Sequence, residues 1–286
     1  MFNKKKAATM PLSTDRQRVH WRLSDIAYDQ IDATLVRDDL FLFQTLASAS
    51  YVEILSEMYS ANLVEHFDGR SDVTGWLRDS WQHEEVQHGV SLKAYVQAVW
   101  PDFDWQAGFE GFQREYSACC TVEQLEPRRA LELVARCVIE TGTATFYRAL
   151  HDYTCEPVLR QLLDNIKSDE VAHYAHFRRY YEQSNVDERH GVFAVLATIW
   201  RRMREVRGED AYIAYKHVWS ARHPGQTFSE REWGDYNRTV RRLARNYYPF
   251  GMAVTMLLKP VPLAEPLKRL LTAPLRLLLS RLASAG

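Results

Sequence analysis

Residues 82–88 read QHEEVQH and residues 168–173 read SDEVAH. Each stretch puts a glutamate three residues before a histidine: Glu85 before His88, and Glu170 before His173. Residues three apart on a helix share a face, so each pair presents a carboxylate and an imidazole side by side. Such a pair can grip one metal ion. Two pairs on facing helices make half of a dinuclear site, and the other half needs one glutamate from each of two further helices. A lone Glu-x-x-His on a helix usually marks a solvated face. Two copies on separate helices, with acids at matching heights elsewhere, are hard to read that way.

Working outward, the surrounding chain reads as helix. Glycine and proline are sparse, and no run of alternating β-branched residues suggests a sheet. A first long helix is expected from Arg37 to His66. Gly69 punctuates its end, and Ser71 or Asp72 can cap the next helix, which runs to about Val99 before Trp100-Pro101. Residues 101–120 (PDFDWQAGFEGFQREYSACC) cross the bundle, with room for a short helix. A third helix is expected from Thr121, where TVEQ fits a capping box with Gln124, to Tyr153. A fourth runs from Pro157 to Gln183, and two more helical stretches fall near 190–221 and 229–246. The expected architecture is all-α: a ferritin-like four-helix bundle with a helical C-terminal extension. Its parts are a polar lead-in over 1–36, the bundle over 37–185, and an extension over 186–286.

Hairpin geometry points to the remaining acids. Glu85 lies 14 residues after the turn at 68–71, and Glu53 lies 15 before it. Its rival Glu57 would sit about 6 Å lower at the helical rise. Glu170 and Glu140 each lie 15 residues from position 155. Glu140 also interrupts the apolar run LELVARCVIETGTATFY, where a charge is costly unless it is paired or metal-bound.

These residues resemble the ferritin-like di-iron carboxylate oxidoreductases, and among them most resemble the soluble acyl carrier protein desaturases. Glu84-Glu85-Val86-Gln87-His88 resembles the EExxH of that family's second helix. Asp169-Glu170-Val171-Ala172-His173 resembles the DExxH of its fourth. Glu140 followed by Thr143 in ETGT resembles its third-helix glutamate with a threonine three residues on. The resemblance covers about residues 40–180. It implies two iron ions bridged by Glu85 and Glu170, with Glu53 and His88 completing one and Glu140 and His173 the other. Asp169 would hydrogen-bond His88 and Glu84 would do so for His173, since carboxylates behind ligand imidazoles fix their tautomer. Thr143 would steer a proton near bound oxygen, or merely bond back to its own helical turn.

Oxygen and nitrogen donors with open positions suit iron, with manganese the other fitting ion. The activity implied is O2-dependent hydroxylation or desaturation of an organic substrate, free or lipid-like or carried on acyl carrier protein. No flavin or iron–sulfur motif occurs, so a separate electron donor protein is expected. Two other classes compete: an iron-oxidising or iron-storing ferritin-like protein, and a metal-free helical interaction module. His176 lies one turn beyond His173. The extra histidine of some di-iron N-oxygenases sits one turn before the fourth-helix glutamate, where this chain has Ile166. Tyr51, Tyr147 and Tyr174 fall on the expected core helices, with packing their first reading and radical storage their second.

The bulk properties fit. Of 286 residues, 46% are hydrophobic and 26% charged, enough for a packed core, and the net charge of -1 gives no drive toward nucleic acid. Cys119, Cys120, Cys137 and Cys155 form no CxxC pair, so buried free thiols are expected instead of a zinc site. MFNKKKAATMPLSTDRQ lacks the apolar stretch of a secretory signal, and the expected location is a reducing cytoplasm. The tail PLKRLLTAPLRLLLSRL mixes leucines with Lys268, Arg269, Arg276 and Arg281. It reads either as an interfacial helix resting on a membrane or as an arm packed on its own domain or a second subunit. A homodimer is the default assembly.

Overall fold

The structure is a computed structural model that describes residues 21–205 and 209–285. Among these residues it is all helix and connection, with no strand. Its helices are α1 (Leu40–Ile54), α2 (Ser56–His66), α3 (Ser71–Trp76), α4 (Gln82–Val99), α5 (Trp105–Tyr116), α6 (Arg129–Tyr153), α7 (Pro157–Glu188), α8 (Val192–Glu205), α9 (Glu209–Arg222), α10 (Glu230–Tyr247), α11 (Phe250–Leu258) and α12 (Glu265–Ala285). The chain is a ferritin-like four-helix bundle with a helical C-terminal extension. One hairpin packs α1 against α4, and the other packs α6 along α7. The extension wraps this core, with α9 on α1 and α5, and α8, α10 and α11 on α6.

Local chemistry sets the helix ends. Asp39 caps α1 by accepting from the Leu42 backbone N–H. Glu156 accepts from Val158 and Leu159, ahead of Pro157 at the first helical position, where a missing N–H costs nothing. Arg189 closes α7 in the left-handed region, at φ 53.

Several boundaries depart from the sequence reading. The first helix begins at Leu40 and breaks at Leu55, directly after the Glu53 turn. Neither Ser71 nor Asp72 caps α3; Arg70 holds that position, and its guanidinium grips Asp72. Between α3 and α4, residues Leu77–Trp81 form a π-helical turn, so 71–99 is continuous helix of changing pitch. Residues 122–124 form only a 3-10 turn, and Thr121 makes no cap. Pro127 explains the late start of α6: it disfavours helical backbone at Glu126. The stretch expected over 190–221 is helical on both sides of residues 206–208, as α8 and α9, and α7 continues past Gln183 to Glu188. Residues 1–20 of the expected lead-in lie outside the described residues. The remainder, 21–36, forms short 3-10 turns that bury Trp21, Ile26 and Val36 against the bundle.

Two glycine contacts position the core. A Cβ on Gly89 would meet the Ile54 backbone nitrogen at 2.6 Å and the Glu53 Cβ at 3.0 Å. Only glycine lets α4 approach α1 this closely, and it does so beside Glu53. Gly69 turns the chain between α2 and α3 at φ +82. The free cysteines also need correction: Cys120 and Cys137 are buried, but Cys119 is half-buried and Cys155 is exposed.

Candidate metal centre

The four bundle helices converge on six buried groups. Glu53 comes from α1, Glu85 and His88 from α4, Glu140 from α6, and Glu170 and His173 from α7. They form two overlapping quartets. Glu53, Glu85, His88 and Glu170 have donor atoms that all lie within 4.8 Å of one another, and so do Glu85, Glu140, Glu170 and His173. Glu85 and Glu170 belong to both. Each quartet could hold a metal ion. Glu57 lies outside both quartets and lines a surface cleft instead.

The shared carboxylates face both ways. Glu170 puts Oε1 3.3 Å from His88 Nδ1 and Oε2 3.7 Å from His173 Nδ1. Glu85 puts Oε1 3.0 Å from His173 Nδ1 and Oε2 4.0 Å from His88 Nδ1. One oxygen of each acid therefore addresses each imidazole.

The histidines are held from behind. His88 Nε2 lies 3.0 Å from Asp169 Oδ2, and His173 Nε2 lies 2.7 Å from Glu84 Oε2. A carboxylate only accepts, so each Nε2 carries the proton and each Nδ1 turns inward. Both Nδ1 atoms, and Glu170 Oε1, are buried without a hydrogen-bond partner. Buried unpaired polar atoms are costly. A cation between the facing lone pairs removes that cost, and the donor set of carboxylate oxygens and imidazole nitrogens suits a first-row divalent ion.

Electrostatics point the same way. Burial, reinforced by the charges of Glu85 and Glu170, holds Glu53 well above the usual carboxylate range. Burial and the neighbouring Glu170 push Glu85 up to about 7. Burial pushes Glu140 up to about 8, with Glu170 again adding to the rise. Burial also opposes charge on Glu170, but the two adjacent imidazoles outweigh it and hold this acid well below its normal range. His173 shows the mirror effect: burial disfavours its cation, yet Glu140, Glu170, Glu84 and Glu85 hold it well above the ordinary imidazole value. The pocket thus demands positive charge. Protons meet the demand when no ion is bound, and a metal ion would displace them.

Around the acids stands a ring of donors. Trp21 Nε1 donates to Asp169 Oδ2 at 2.7 Å and lies parallel to the His88 ring. Trp81 Nε1 donates to Glu140 Oε1 at 3.2 Å. The Tyr147 hydroxyl donates to Glu53 Oε1. Thr143 Oγ1 donates to Glu170 Oε2 at 2.9 Å and also contacts the Ile139 and Glu140 carbonyls. Thr143 therefore bonds back to its own turn, as the second reading expected, and also touches a shared carboxylate. His176 stacks on Trp76 and lies outside both quartets.

Sequence reasoning missed Trp21, Trp81 and the glutamate contact of Tyr147. Trp81 lies four residues before Glu85, and Tyr147 seven after Glu140, both on the ligand face by helical spacing. That spacing could have found them. Trp21 had no such signal, because it lies in an aperiodic segment.

A surface cleft of about 370 Å³ between α1, α4 and α5 is lined by Ile54, Val90, Lys93, Ala94, Trp105 and Phe109 among others, and by none of the six ligand residues. Its lining is mostly apolar.

No protein-family model matches this chain, and no curated protein matches it. What the geometry supports is an all-α bundle with two buried, edge-sharing Glu/His clusters able to hold a pair of metal ions.

Proposed function

We propose that this chain is an O2-dependent non-haem di-iron oxidoreductase that hydroxylates or desaturates an organic, acyl or lipid-like substrate. The observation that carries the reading is the sharing of Glu85 and Glu170 between two buried quartets whose inward imidazole nitrogens have no other partner. Glu53, Glu85, His88 and Glu170 would hold one ion, and Glu85, Glu140, Glu170 and His173 the other. Iron(II) bound there would supply electrons to O2 and an oxidant able to act on a C–H bond.

The chain's own part is preparation. Asp169 and Glu84 fix both imidazoles with Nδ1 inward. Tyr147 holds a proton against Glu53, and Thr143 holds one against Glu170 on the half-buried side of α6. Trp81 and Trp21, buried and bonded to Glu140 and Asp169, help keep bulk water from the acids, which strengthens every charge interaction inside. Under this reading a separate protein returns the electrons, in a reducing cytoplasm.

Anaerobic loading with iron(II), followed by metal analysis and O2-uptake measurement, tests the proposal. Two irons per chain, and O2 consumption that disappears in Glu85→Ala and Glu170→Ala, are the expected results. Failure of the wild-type chain to retain iron would overturn the metal reading. Iron retained without coupled oxidation of any acyl or lipid candidate, but with iron(III) accumulating inside a closed multimeric cage, would favour storage instead.

A further inference from the structure

Arg231, Arg238, Arg241, Arg242 and Arg245 on α10 are all exposed. At the helical repeat they fall within one arc of about 100°. Trp233, Tyr236, Val240 and Leu243 lie on the opposite arc and face the protein: Leu243 is buried, and the Tyr236 hydroxyl lies 3.1 Å from Thr45 Oγ1 on α1. Like charges three or four residues apart on a helix repel, so a merely solvated face gains by mixing signs. This face does not mix them. Arg238 neighbours Arg241 and Arg242 in this way, and so does Arg245. Asp235 pairs with Arg238. Among the described residues the other four arginines have no ion-pair partner. The helix dipole favours only Arg245, in the last turn. An anion laid over the face removes the repulsion.

The setting selects the kind of anion. Taking these five from the 36 Lys and Arg leaves 31 against 37 Asp and Glu, so the rest of the chain carries -6. A long polyanion or an anionic bilayer would meet that acidic remainder, and the arc has no apolar side chain to enter lipid. A compact acidic patch on a small protein meets the arginines alone. Contacts of this size are typical of transient electron-carrier encounters. The face also stands over the bundle that holds the metal ligands. α10 packs on α6, which carries Glu140. On its inner side the rings of Trp233, Tyr236, Phe41, Tyr153 and Tyr247 follow one another with centroids 5.5–5.8 Å apart. Thr45, which meets Tyr236, lies about two turns before Glu53 on α1.

We propose that the arginine face of α10 docks an acidic one-electron carrier protein. The proposal rests on the di-iron reading, in which electrons must be returned to the site. Each encounter would oxidise the carrier by one electron and convert one bound iron(III) to iron(II). The probe is a [2Fe–2S] ferredoxin, a small acidic carrier. Its binding is measured first on the metal-free chain, so that failure to dock is distinct from failure to hold iron, which metal analysis reports. Binding should weaken with salt and fall about tenfold in Arg241→Gln with Arg245→Gln. The melting temperature of that variant should stay level or rise, because repulsion is relieved. Arg114→Gln with Arg160→Gln, exposed positions on α5 and α7, makes the same change in net charge and should leave binding intact. With iron loaded, reduction by the reduced ferredoxin should slow in the α10 variant at unchanged iron content. Equal loss of binding in both variants would reduce the effect to net charge and overturn the proposal. A lowered melting temperature in the α10 variant would make the arginines structural and overturn it too. Tighter binding of duplex DNA or phosphatidylglycerol vesicles through the same arginines would assign the face to another partner. Ferredoxin binding lost without any change in the reduction rate would sink the electron-carrier role.

Discussion

His88 and His173 occupy equivalent places in a repeated motif, yet their surroundings differ. Behind His88, Asp169 is sealed, its side chain 3% exposed and covered by Trp21. Behind His173, Glu84 is 15% exposed. The first anchor comes from the acid directly before Glu170 in α7, the second from the acid directly before Glu85 in α4. Each helix thus supplies a shared carboxylate and the support for the opposite helix's histidine. The reciprocity makes the two halves similar, and residues 21–36 make them unequal. A motif defines which atoms face inward; the packing outside it defines how firmly they are held.

The largest break in this comparison comes from the residues common to both halves. Glu170→Ala removes an oxygen from each quartet, so loading either site with iron(II) or manganese(II) should fail. Metal analysis after desalting checks it, and retention of one ion would show that the halves bind independently.

Acidity should act on both halves together. Glu85 at about 7 and Glu140 at about 8 lie above the value near 4.5 that they have when unfolded. Between these values the folded, metal-free protein holds protons that the unfolded chain has released, so its stability falls as pH rises through the window. The raised His173 adds stability that is likewise lost as pH rises through its folded value. The depressed Glu170 acts oppositely, its contribution disappearing only on acidification below the normal carboxylate range. Metal replaces the protons. Affinity should therefore fall about tenfold per pH unit of acidification for each proton displaced, and the melting-temperature gain on loading should grow from pH 6 toward about 8. A gain independent of pH would contradict the proton-holding pocket.

The anchors separate the halves. Asp169→Asn, which removes a sealed charge beneath Trp21, should weaken metal binding toward the ~100-fold end of the range for such partners, and Glu84→Gln toward the ~10-fold end. Competition with a chromophoric chelator measures both. Equal effects would mean that the cover of Trp21 is irrelevant.

The smallest effect falls on the His88 half alone. Gly89→Ala places a methyl against the Ile54 backbone and Glu53. It should cost about 1–3 kcal/mol as overpacking does, read by urea denaturation, and weaken the Glu53 quartet before the other. Wild-type stability in this variant would show that α1 can move away freely.

Much of this was legible in the sequence. The repeated Glu-x-x-His, with distances counted from the two turns, brings the same six residues to one place that the fold does. The reading worked because helices turn residue number into height. It failed where that conversion breaks. Pro127 delays α6, Leu55 splits the first helix, and the π turn follows from no propensity in LRDSW. Trp21 lies 148 residues from Asp169, and no local periodicity links them.

The π turn at Leu77–Trp81 also sets a phase. It lies between Trp76, which stacks on His176, and Gln82, one turn before Glu85. A residue accommodated there needs no bend in the helix, but it sets the rotation of everything downstream relative to everything upstream. Deleting one residue within 77–81 would leave the rod intact and turn the Glu85/His88 face by about 100° relative to the α3 face. This short segment therefore acts as the timing mark of the bundle: two faces of one helix are synchronised by a turn that carries no ligand itself.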